Sequence, residues 1–239
     1  MAGMKGKLRA KAIPQLVLQW FASNGRDFPW RSSIHPYNIF IAEILLRRTQ
    51  AERVVESYLK LIERYLTPES LSHADIQELR RLFQPLGLVR RADQVVAAAK
   101  RIVDSYDGLI PNNLCDLSTL PCVGIYSARA IMCLSFGAVV PMIDESSGRL
   151  LQRVFNLQSR GPAYRDRQLL KIAETIIPAE NARNFNLGLL DVASTYCHHN
   201  TPDCSKCPLA KICSYPLKRP KHIRKTLQKT DKINCTDVF

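Results

Sequence analysis

Apolar residues recur with the spacing of a helix along almost the entire chain. Apolar side chains three and four positions apart share one face of a helix and can be buried together. Proline and glycine separate the helical stretches, as at Pro85, Gly87 and Pro111, and no stretch alternates apolar and polar residues as a half-buried strand does. The stretches with this spacing are 37–49, 51–66, 74–83, 90–106, 166–177 and 184–197. The pattern predicts an all-α protein with short connections between its helices.

Residues 118–138 place a tight turn between two short helical stretches. The turn consists of Leu120, Pro121, Cys122, Val123 and Gly124. Because a turn that leads into a helix can present backbone N–H groups to an anion, this stretch is a candidate phosphate-binding element. The alternative is a connection that serves helix packing alone.

Positive charge is concentrated in two segments, and the formal net charge is +13. Residues 1–12 carry four lysines or arginines and no acid, while residues 214–239 carry seven against two aspartates. Basic arms of this kind suit a polyanion, and nucleic acid is the first candidate. The alternative interpretation is a pair of solvated, disordered tails.

The apolar runs are too short to indicate a membrane protein. None approaches the roughly 18 apolar residues of a membrane span. The segment 12–23 contains Pro14 and Gln15 within its apolar run and is predicted to form an amphipathic helix, not a signal peptide. These features predict a cytoplasmic, nucleoid-associated protein.

Four of the eight cysteines lie close together near the end of the chain, and the segment 197–213 contains all four. Their spacing is C-x6-C-x2-C-x5-C, which indicates a metal or cluster site and not a disulfide framework. Soft thiolate ligands favour either a tetrahedral zinc ion or an iron–sulfur cluster, and the spacing alone does not choose between them. His198 and His199 are predicted to face solvent and are not assigned as ligands. The predicted ligands are Cys197, Cys204, Cys207 and Cys213.

Four motifs together resemble the helix-hairpin-helix DNA glycosylases, the superfamily of endonuclease III and the adenine glycosylases, whose C-terminal loop holds a [4Fe–4S] cluster. They are the entry segment 27–50, the hairpin 120–137, the segment 141–155 and the cysteine loop that follows 185–194. The resemblance covers about 27–213 and is greatest to the tyrosine-type thymine/uracil–guanine mismatch glycosylases and the catalytic domain of the adenine glycosylases. It implies a structural [4Fe–4S] cluster, a monomer, and double-stranded DNA with a mismatched or damaged base as partner.

The resemblance also implies two α-helical lobes with a cleft near Tyr126 and Asp144 for a flipped base. One lobe comprises 28–138, with the hairpin at about 116–136. The other comprises 1–27 and 139–217, with the cluster loop at 197–213, and the basic segment 218–239 is expected to be a disordered tail.

Asp144 matches the catalytic aspartate of these glycosylases and lies 18 residues after Tyr126. Cleavage of an N-glycosidic bond builds positive charge on the deoxyribose, and a fixed carboxylate stabilises that charge and can orient or deprotonate water. The simpler role for Asp144 is a helix N-cap, and both roles are compatible. Tyr126 stands where endonuclease III-like bifunctional enzymes carry a lysine that forms a Schiff base. The resemblance therefore implies a monofunctional glycosylase that leaves an abasic site.

Glu43 matches the acid with which the adenine glycosylases protonate the purine, and here it is expected to contact or polarise a pyrimidine. The residues after it correspond to those that fill the gap left by the extruded base and touch the opposite base. They are Arg47, Arg48, Thr49 and Gln50. The hairpin departs from the family pattern L-P-G-V-G, because Cys122 replaces the first glycine, and this change is expected to strain the turn or shift its phosphate contact.

The favoured function is hydrolysis of thymine or uracil from mismatches with guanine, in base excision repair. The runner-up is excision of adenine opposite guanine or 8-oxoguanine. Glu43 supports this runner-up, whereas the 26 residues after Cys213 are too few for the domain with which typical adenine glycosylases bind 8-oxoguanine. A third hypothesis is a catalytically silent protein that binds DNA lesions.

Overall fold

The structure is a computed structural model that describes residues 2–158 and 161–215, with side chains from residue 6 onward. Eleven α-helices and no strand occur among these residues, so the predicted all-α class is confirmed. The predicted tail 218–239 lies outside the described residues. The helices are α1 (Ala2–Asn24), α2 (Pro36–Leu46), α3 (Ala51–Arg64), α4 (Pro68–Ser72), α5 (Ile76–Phe83), α6 (Arg91–Tyr106), α7 (Leu114–Thr119), α8 (Ile125–Phe136), α9 (Glu145–Phe155), α10 (Arg167–Ile176) and α11 (Ala182–Tyr196).

The chain divides into two compact units. The hairpin unit comprises Asp27–Ala138 and therefore contains α2 to α8. The cysteine unit comprises Met1–Arg26 and the residues from Val139 onward, and it contains α1, α9, α10 and α11.

The hairpin unit is built around α2. Eight of the eleven residues of α2 are buried, which explains why this helix is apolar on nearly all its faces. It packs against α3 and α8, and α4 packs against α6. At its start, Tyr37 is buried and its hydroxyl donates to the backbone carbonyl of Tyr65 at 2.8 Å.

The prediction of a helix over 37–49 is wrong at its C-terminal end, because α2 ends at Leu46. Arg47 has extended backbone angles, with φ −64° and ψ 113°, and Arg48 has a φ of 60° in the left-handed region. The segment 47–50 is therefore a turn that projects beyond the helix.

The cysteine unit has its own apolar core between α1, α9, α10 and α11. Ile13 and Val17 of α1 lie in this core together with Leu151, Phe185 and Leu189. A Cβ atom at Gly188 of α11 would come within 2.9 Å of Val17 Cγ1, so glycine permits the close packing of α1 against α11.

An ion pair ties the end of α1 to α11 within the cysteine unit. Asp191 is fully buried, and its carboxylate accepts hydrogen bonds from the backbone N–H and the Nε of Arg26, at 3.0 and 2.7 Å. Two donors on one residue satisfy a buried charge that would otherwise be costly.

The alternative of a disordered tail is wrong for the N-terminal basic segment, because residues 2–24 form one helix. Lys7 and Lys11 are exposed on this helix, and Arg9 is half-buried. The helix continues through Pro14, although proline removes one N–H from its hydrogen-bond ladder. Burial of Ile13 and Val17 on either side of the proline favours the continuous helix.

No helix among the described residues is long and apolar enough to cross a membrane.

Candidate DNA-binding and catalytic residues

The predicted hairpin consists of α7, the five-residue connection 120–124 and α8. The backbone N–H of Val123 donates to the carbonyl of Leu120 at 3.1 Å and closes the turn. Pro121 occupies the second position, and Cys122 occupies the third with a φ of 59°. Proline followed by a residue with positive φ is the arrangement of a type II turn, which favours glycine at the third position.

Cys122 therefore adopts the conformation that this turn requires, although a Cβ atom opposes it. The left-handed region costs a residue with a side chain about 1–2 kcal/mol. Burial raises the pKa of the Cys122 thiol to about 12, although the nearby positive charges of Arg47 and Arg91 act in the opposite direction. The expectation that cysteine strains the turn agrees with this geometry.

Gly124 lies at the N-cap of α8 and is exposed. Its φ of −99° is available to any residue, and a Cβ atom built here would meet no atom within 4 Å. No side chain caps the N-terminus of α8. Neither conformation nor packing within the hairpin unit requires glycine here, whereas close approach by a ligand would.

The segment 47–50 contacts the hairpin turn through one side chain. Arg47 Nη1 donates to the backbone carbonyl of Cys122 at 2.6 Å. Arg91, at the start of α6, donates from Nη1 to the carbonyl of Ile44 at 2.8 Å. Burial, followed by the positive charges of Arg47 and Arg48, lowers the pKa of Arg91. The guanidinium groups of Arg47 and Arg91 thus lie near Cys122.

Glu43 and Tyr126 lie on two helices that pack together within the hairpin unit, α2 and α8. Glu43 is buried, with 5% of its surface exposed, and Tyr126 is half-buried at the second position of α8. A buried carboxylate on an apolar helix is costly to maintain, which favours a functional role over a chance surface charge.

Asp144 belongs to the cysteine unit and caps α9. Its Oδ1 accepts hydrogen bonds from the backbone N–H and the hydroxyl of Ser147, both at 2.7 Å. In return, the backbone N–H of Asp144 donates to Ser147 Oγ at 3.0 Å, which completes a capping box. Among the described residues, no donor contacts Oδ2 of Asp144, and the residue is half-buried. The N-cap role is confirmed, and one carboxylate oxygen remains available.

A side chain from α11 fixes the chain that leads to Asp144. Asn186 is 1% exposed; its Oδ1 accepts from the backbone N–H of Met142, and its Nδ2 donates to the carbonyl of Val140, both at 3.0 Å. These two bonds pair the backbone of the segment 140–142 with one amide group. They fix the backbone two residues before Asp144.

The four predicted cysteine ligands line one pocket in the cysteine unit. Cys197 caps the C-terminus of α11, and Arg153 Nη1 donates to its Sγ at 3.3 Å. Burial raises the pKa of Cys207 to about 11, and the neighbouring Cys197 and Cys213 contribute to this rise. His198 and His199 are exposed, as predicted. Among the described residues, no group of three or more His, Cys, Asp or Glu side chains converges on a point where one metal ion could bind.

Comparison with known proteins identifies the family. The family model described as "HhH-GPD superfamily base excision DNA repair protein" matches residues 41–175. The chain belongs to the HhH-GPD superfamily. That match spans the hairpin, the segment 47–50 and Asp144, so it covers most of the candidate residues described above.

Individual relatives are similar over most of the chain. The thymine/uracil-DNA glycosylase of Methanothermobacter thermautotrophicus is 36% identical over 208 residues, which cover 87% of this chain and 94% of that protein. The adenine DNA glycosylase of Buchnera aphidicola subsp. Acyrthosiphon pisum is 31% identical over 224 residues, but the match covers only 63% of its length. The solved structure of a thermostable thymine-DNA glycosylase has a TM-score of 0.84 and 35% identity, and the match covers 89% of this chain and 99% of that one.

Sequence reasoning missed three residues that contact the candidate site, Ser147, Asn186 and Arg153, and the contact that Arg47 makes. Ser147 lies three positions after Asp144, which is capping-box spacing, and this signal was available in the sequence. Asn186 and the contact of Arg47 with Cys122 carry no local signal, because their partners lie 44 or more residues away. Arg153 likewise contacts Cys197 from 44 residues away.

Proposed function

We propose that this protein is a monofunctional DNA glycosylase that hydrolyses the N-glycosidic bond of thymine or uracil opposite guanine. The observation that carries the proposal is the combination of a braced Asp144 carboxylate with Tyr126 in place of the family lysine. The similarity to the thymine/uracil-DNA glycosylase of Methanothermobacter thermautotrophicus supports the choice of base. A protein of this kind would act as a monomer on chromosomal DNA in the cytoplasm.

Asp144 is the proposed catalytic carboxylate. As the bond between base and sugar breaks, positive charge develops on the deoxyribose, and a fixed negative charge stabilises it. Ser147 holds Oδ1, so the carboxylate has one orientation, and Oδ2 remains to orient or deprotonate the attacking water. Because Asn186 fixes the preceding backbone, little reorganisation is needed during the reaction.

Tyr126 excludes the lyase chemistry of the bifunctional members at this position. A Schiff base needs an amine that attacks the sugar, and a phenol cannot form one. No lysine occurs between Lys100 and Lys171, so the neighbouring sequence offers no substitute amine. The proposed product is therefore free base plus an intact strand that carries an abasic site.

Glu43 is proposed to contact the extruded base. The glycosidic bond is inaccessible within a stacked duplex, so the base must leave the helix before it is excised. A buried carboxylate on α2 can polarise the leaving base through its polar edge. A mispaired thymine or uracil is less costly to extrude than a paired one, which contributes to selectivity.

The hairpin unit is proposed to hold the DNA backbone. The uncapped N-terminus of α8 and the open space at Gly124 suit a phosphate group that approaches the backbone closely. The segment 47–50 projects beyond α2 and is proposed to meet the duplex at the extruded base. Arg48 and Gln50 are exposed there, and Thr49 is half-buried.

A [4Fe–4S] cluster is the proposed occupant of the cysteine pocket. Four thiol groups line that pocket, and the guanidinium of Arg153 donates to Cys197 Sγ, so the donor set fits. When bound, the cluster would crosslink the end of α11 to the loop up to Cys213 and stabilise the fold. Purified protein is expected to be coloured and to contain iron and sulfide, whereas a colourless, active preparation with stoichiometric zinc would contradict the assignment. Cys204→Ser is expected to reduce the soluble yield, because binding is coupled to folding.

Adenine excision is the second candidate. The similarity to the adenine DNA glycosylase of Buchnera aphidicola and the buried Glu43 favour it.

A panel of labelled duplexes tests the proposal. Each carries T or U opposite G, A opposite G, or A opposite 8-oxoguanine, and each is treated with protein and then with alkali to reveal abasic sites. We expect alkali-dependent cleavage at T and U opposite G, and none with Asp144→Asn. Cleavage only at adenine would establish the second candidate, and no cleavage of any duplex would favour a lesion-binding protein.

A further inference from the structure

The contact between Arg47 and the hairpin turn gives this arginine a role different from that of its neighbours in segment 47–50. The geometry points to Arg47 as a positioning residue that holds the DNA-binding turn in its left-handed conformation at Cys122. This inference rests on the proposed role of the hairpin in DNA binding, because it assigns the residue that keeps the hairpin in its binding shape.

The backbone conformation of the turn is unfavourable for cysteine, so a further interaction is needed to stabilise it. Its third position requires a positive φ, and Cys122 occupies it with a φ of 59° although glycine is the residue that adopts this region without cost. The turn itself contributes a single backbone bond, from Val123 N–H to the Leu120 carbonyl, at 3.1 Å. Without a further restraint, a side chain at this position would favour a different turn.

Arg47 restrains the carbonyl oxygen of Cys122, whose direction depends on the backbone conformation of the turn. The ψ angle of Cys122 sets the direction of its carbonyl group. Arg47 Nη1 donates to that carbonyl at 2.6 Å. A charged donor makes a hydrogen bond about twice as strong as a neutral one, so it favours the turn in which this carbonyl faces Arg47.

The last turn of α2, which precedes Arg47, is itself bonded to a neighbouring helix. Arg91 donates to the carbonyl of Ile44 in the last turn of α2, three residues before Arg47. Arg47 has extended backbone angles because α2 ends at Leu46, and this termination directs the segment towards the hairpin turn. Two hydrogen bonds therefore connect α6 to the end of α2 and the residue after α2 to Cys122, and all these residues belong to the hairpin unit.

Arg48 offers a matched comparison. It is adjacent, equally charged and exposed, but among the described residues its side chain makes no hydrogen bond. A role in direct DNA contact suits Arg48, whereas Nη1 of Arg47 already donates to the turn.

A double-mutant cycle with Cys122→Gly tests the inference. Binding is measured on a matched duplex that offers no base to excise, so the result does not depend on whether the protein is a glycosylase. We expect Arg47→Ala to weaken binding about tenfold in the Cys122 protein and less than about threefold in the Cys122→Gly protein, because glycine needs no restraint. Arg47→Met, which keeps the aliphatic stem, should behave in the same way as Arg47→Ala.

Two further measurements separate positioning from direct contact. The salt dependence of binding should be the same with and without Arg47, because Arg47 neutralises no phosphate, whereas Arg48→Ala should lower the slope equally in both backgrounds. The amide of Val123 should exchange with solvent faster in Arg47→Ala than in the wild type, because the turn opens more often.

Four results would overturn the inference. Equal losses for Arg47→Ala in both backgrounds with a lower salt slope would make Arg47 a phosphate contact. A lower excision rate at saturating mismatched DNA with unchanged affinity would make it a gap-filling residue. No loss in either background, or unchanged exchange at Val123, would show that the hydrogen bond restrains nothing.

Discussion

The turn at Cys122 and the helix start at Asp144 solve the same problem in different ways. Each fixes a short backbone segment on which the proposed function depends. At Asp144 the residue suits its position, since aspartate is a favoured N-cap and its capping partner Ser147 lies only three residues later. At Cys122 the residue opposes its conformation, and a donor from 75 residues away bonds its carbonyl. Local sequence rules therefore predict the first site, whereas tertiary contact determines the second.

Long-range contact is not confined to the hairpin. Asn186 binds the backbone at Val140 and Met142, so the segment before Asp144 is braced from α11 as well as capped locally. The two long-range contacts differ in the conformation that they stabilise. Asp144 has a favourable local conformation that Asn186 extends, whereas the Arg47 contact offsets an unfavourable one.

The largest expected effect is on the excision rate of Asp144→Asn, a variant that removes the charge of Asp144 but keeps a capping side chain. Asp144→Asn should lower single-turnover excision by about 10²–10³ or more, because it removes a preorganised charge from the transition state. The free energy of unfolding of the Asp144→Asn protein should change by only a few tenths of a kcal/mol, because asparagine caps a helix about as well as aspartate does. Single-turnover kinetics and denaturant unfolding measure the two quantities.

Ser147→Ala is the matched control for Asp144→Asn. It keeps the carboxylate but removes the hydroxyl that holds Oδ1, so we expect a loss of about 1 kcal/mol in stability and a much smaller loss in excision. If both variants lost excision equally, the carboxylate would be acting through its cap and not through its charge.

The second prediction removes the brace from α11. Asn186→Ala leaves the buried N–H of Met142 without its partner, which should cost about 1–3 kcal/mol, and it also removes the bond to the partly exposed carbonyl of Val140. Excision should also fall, because Asp144 is no longer held in one position. Denaturant unfolding and single-turnover excision are measured on the same preparation.

Asn184→Ala is the control on the same helix. Asn184 is exposed, so its removal should change the free energy of unfolding by no more than about 0.5 kcal/mol. Equal effects at Asn184 and Asn186 would show that helix propensity, and not the brace, determines the result.

The smallest effect is expected at the hairpin turn. Cys122→Gly should raise the free energy of unfolding by about 0.5–1 kcal/mol, since the relief of the left-handed conformation exceeds the added flexibility of glycine in the unfolded chain. Asn156→Gly is the matched control, because Asn156 also has a φ of 59° but asparagine tolerates this region. A destabilised Cys122→Gly protein would show that packing of the thiol outweighs backbone strain.

Helical spacing predicts most of the fold but not the placement of the site. The stretch 90–106 matches α6 within one residue, since its apolar face and its boundaries are both local features. The end of α2 was missed by three residues, because nothing in the sequence near Leu46 indicates that Arg47 will leave the helix to bond a distant carbonyl. Asn186 was missed for the same reason, since its partners lie 44 and 46 residues away.

The most direct test of the central claim is treatment of wild-type protein and a T·G duplex with borohydride. Tyr126 offers no amine, so we expect no covalent protein–DNA complex, and the strand should remain intact until alkali is added. Tyr126→Lys is the informative companion, because it introduces an amine at this position and is expected to permit trapping. A trapped complex with the wild-type protein, or strand cleavage without alkali, would contradict the proposal of a monofunctional hydrolytic glycosylase.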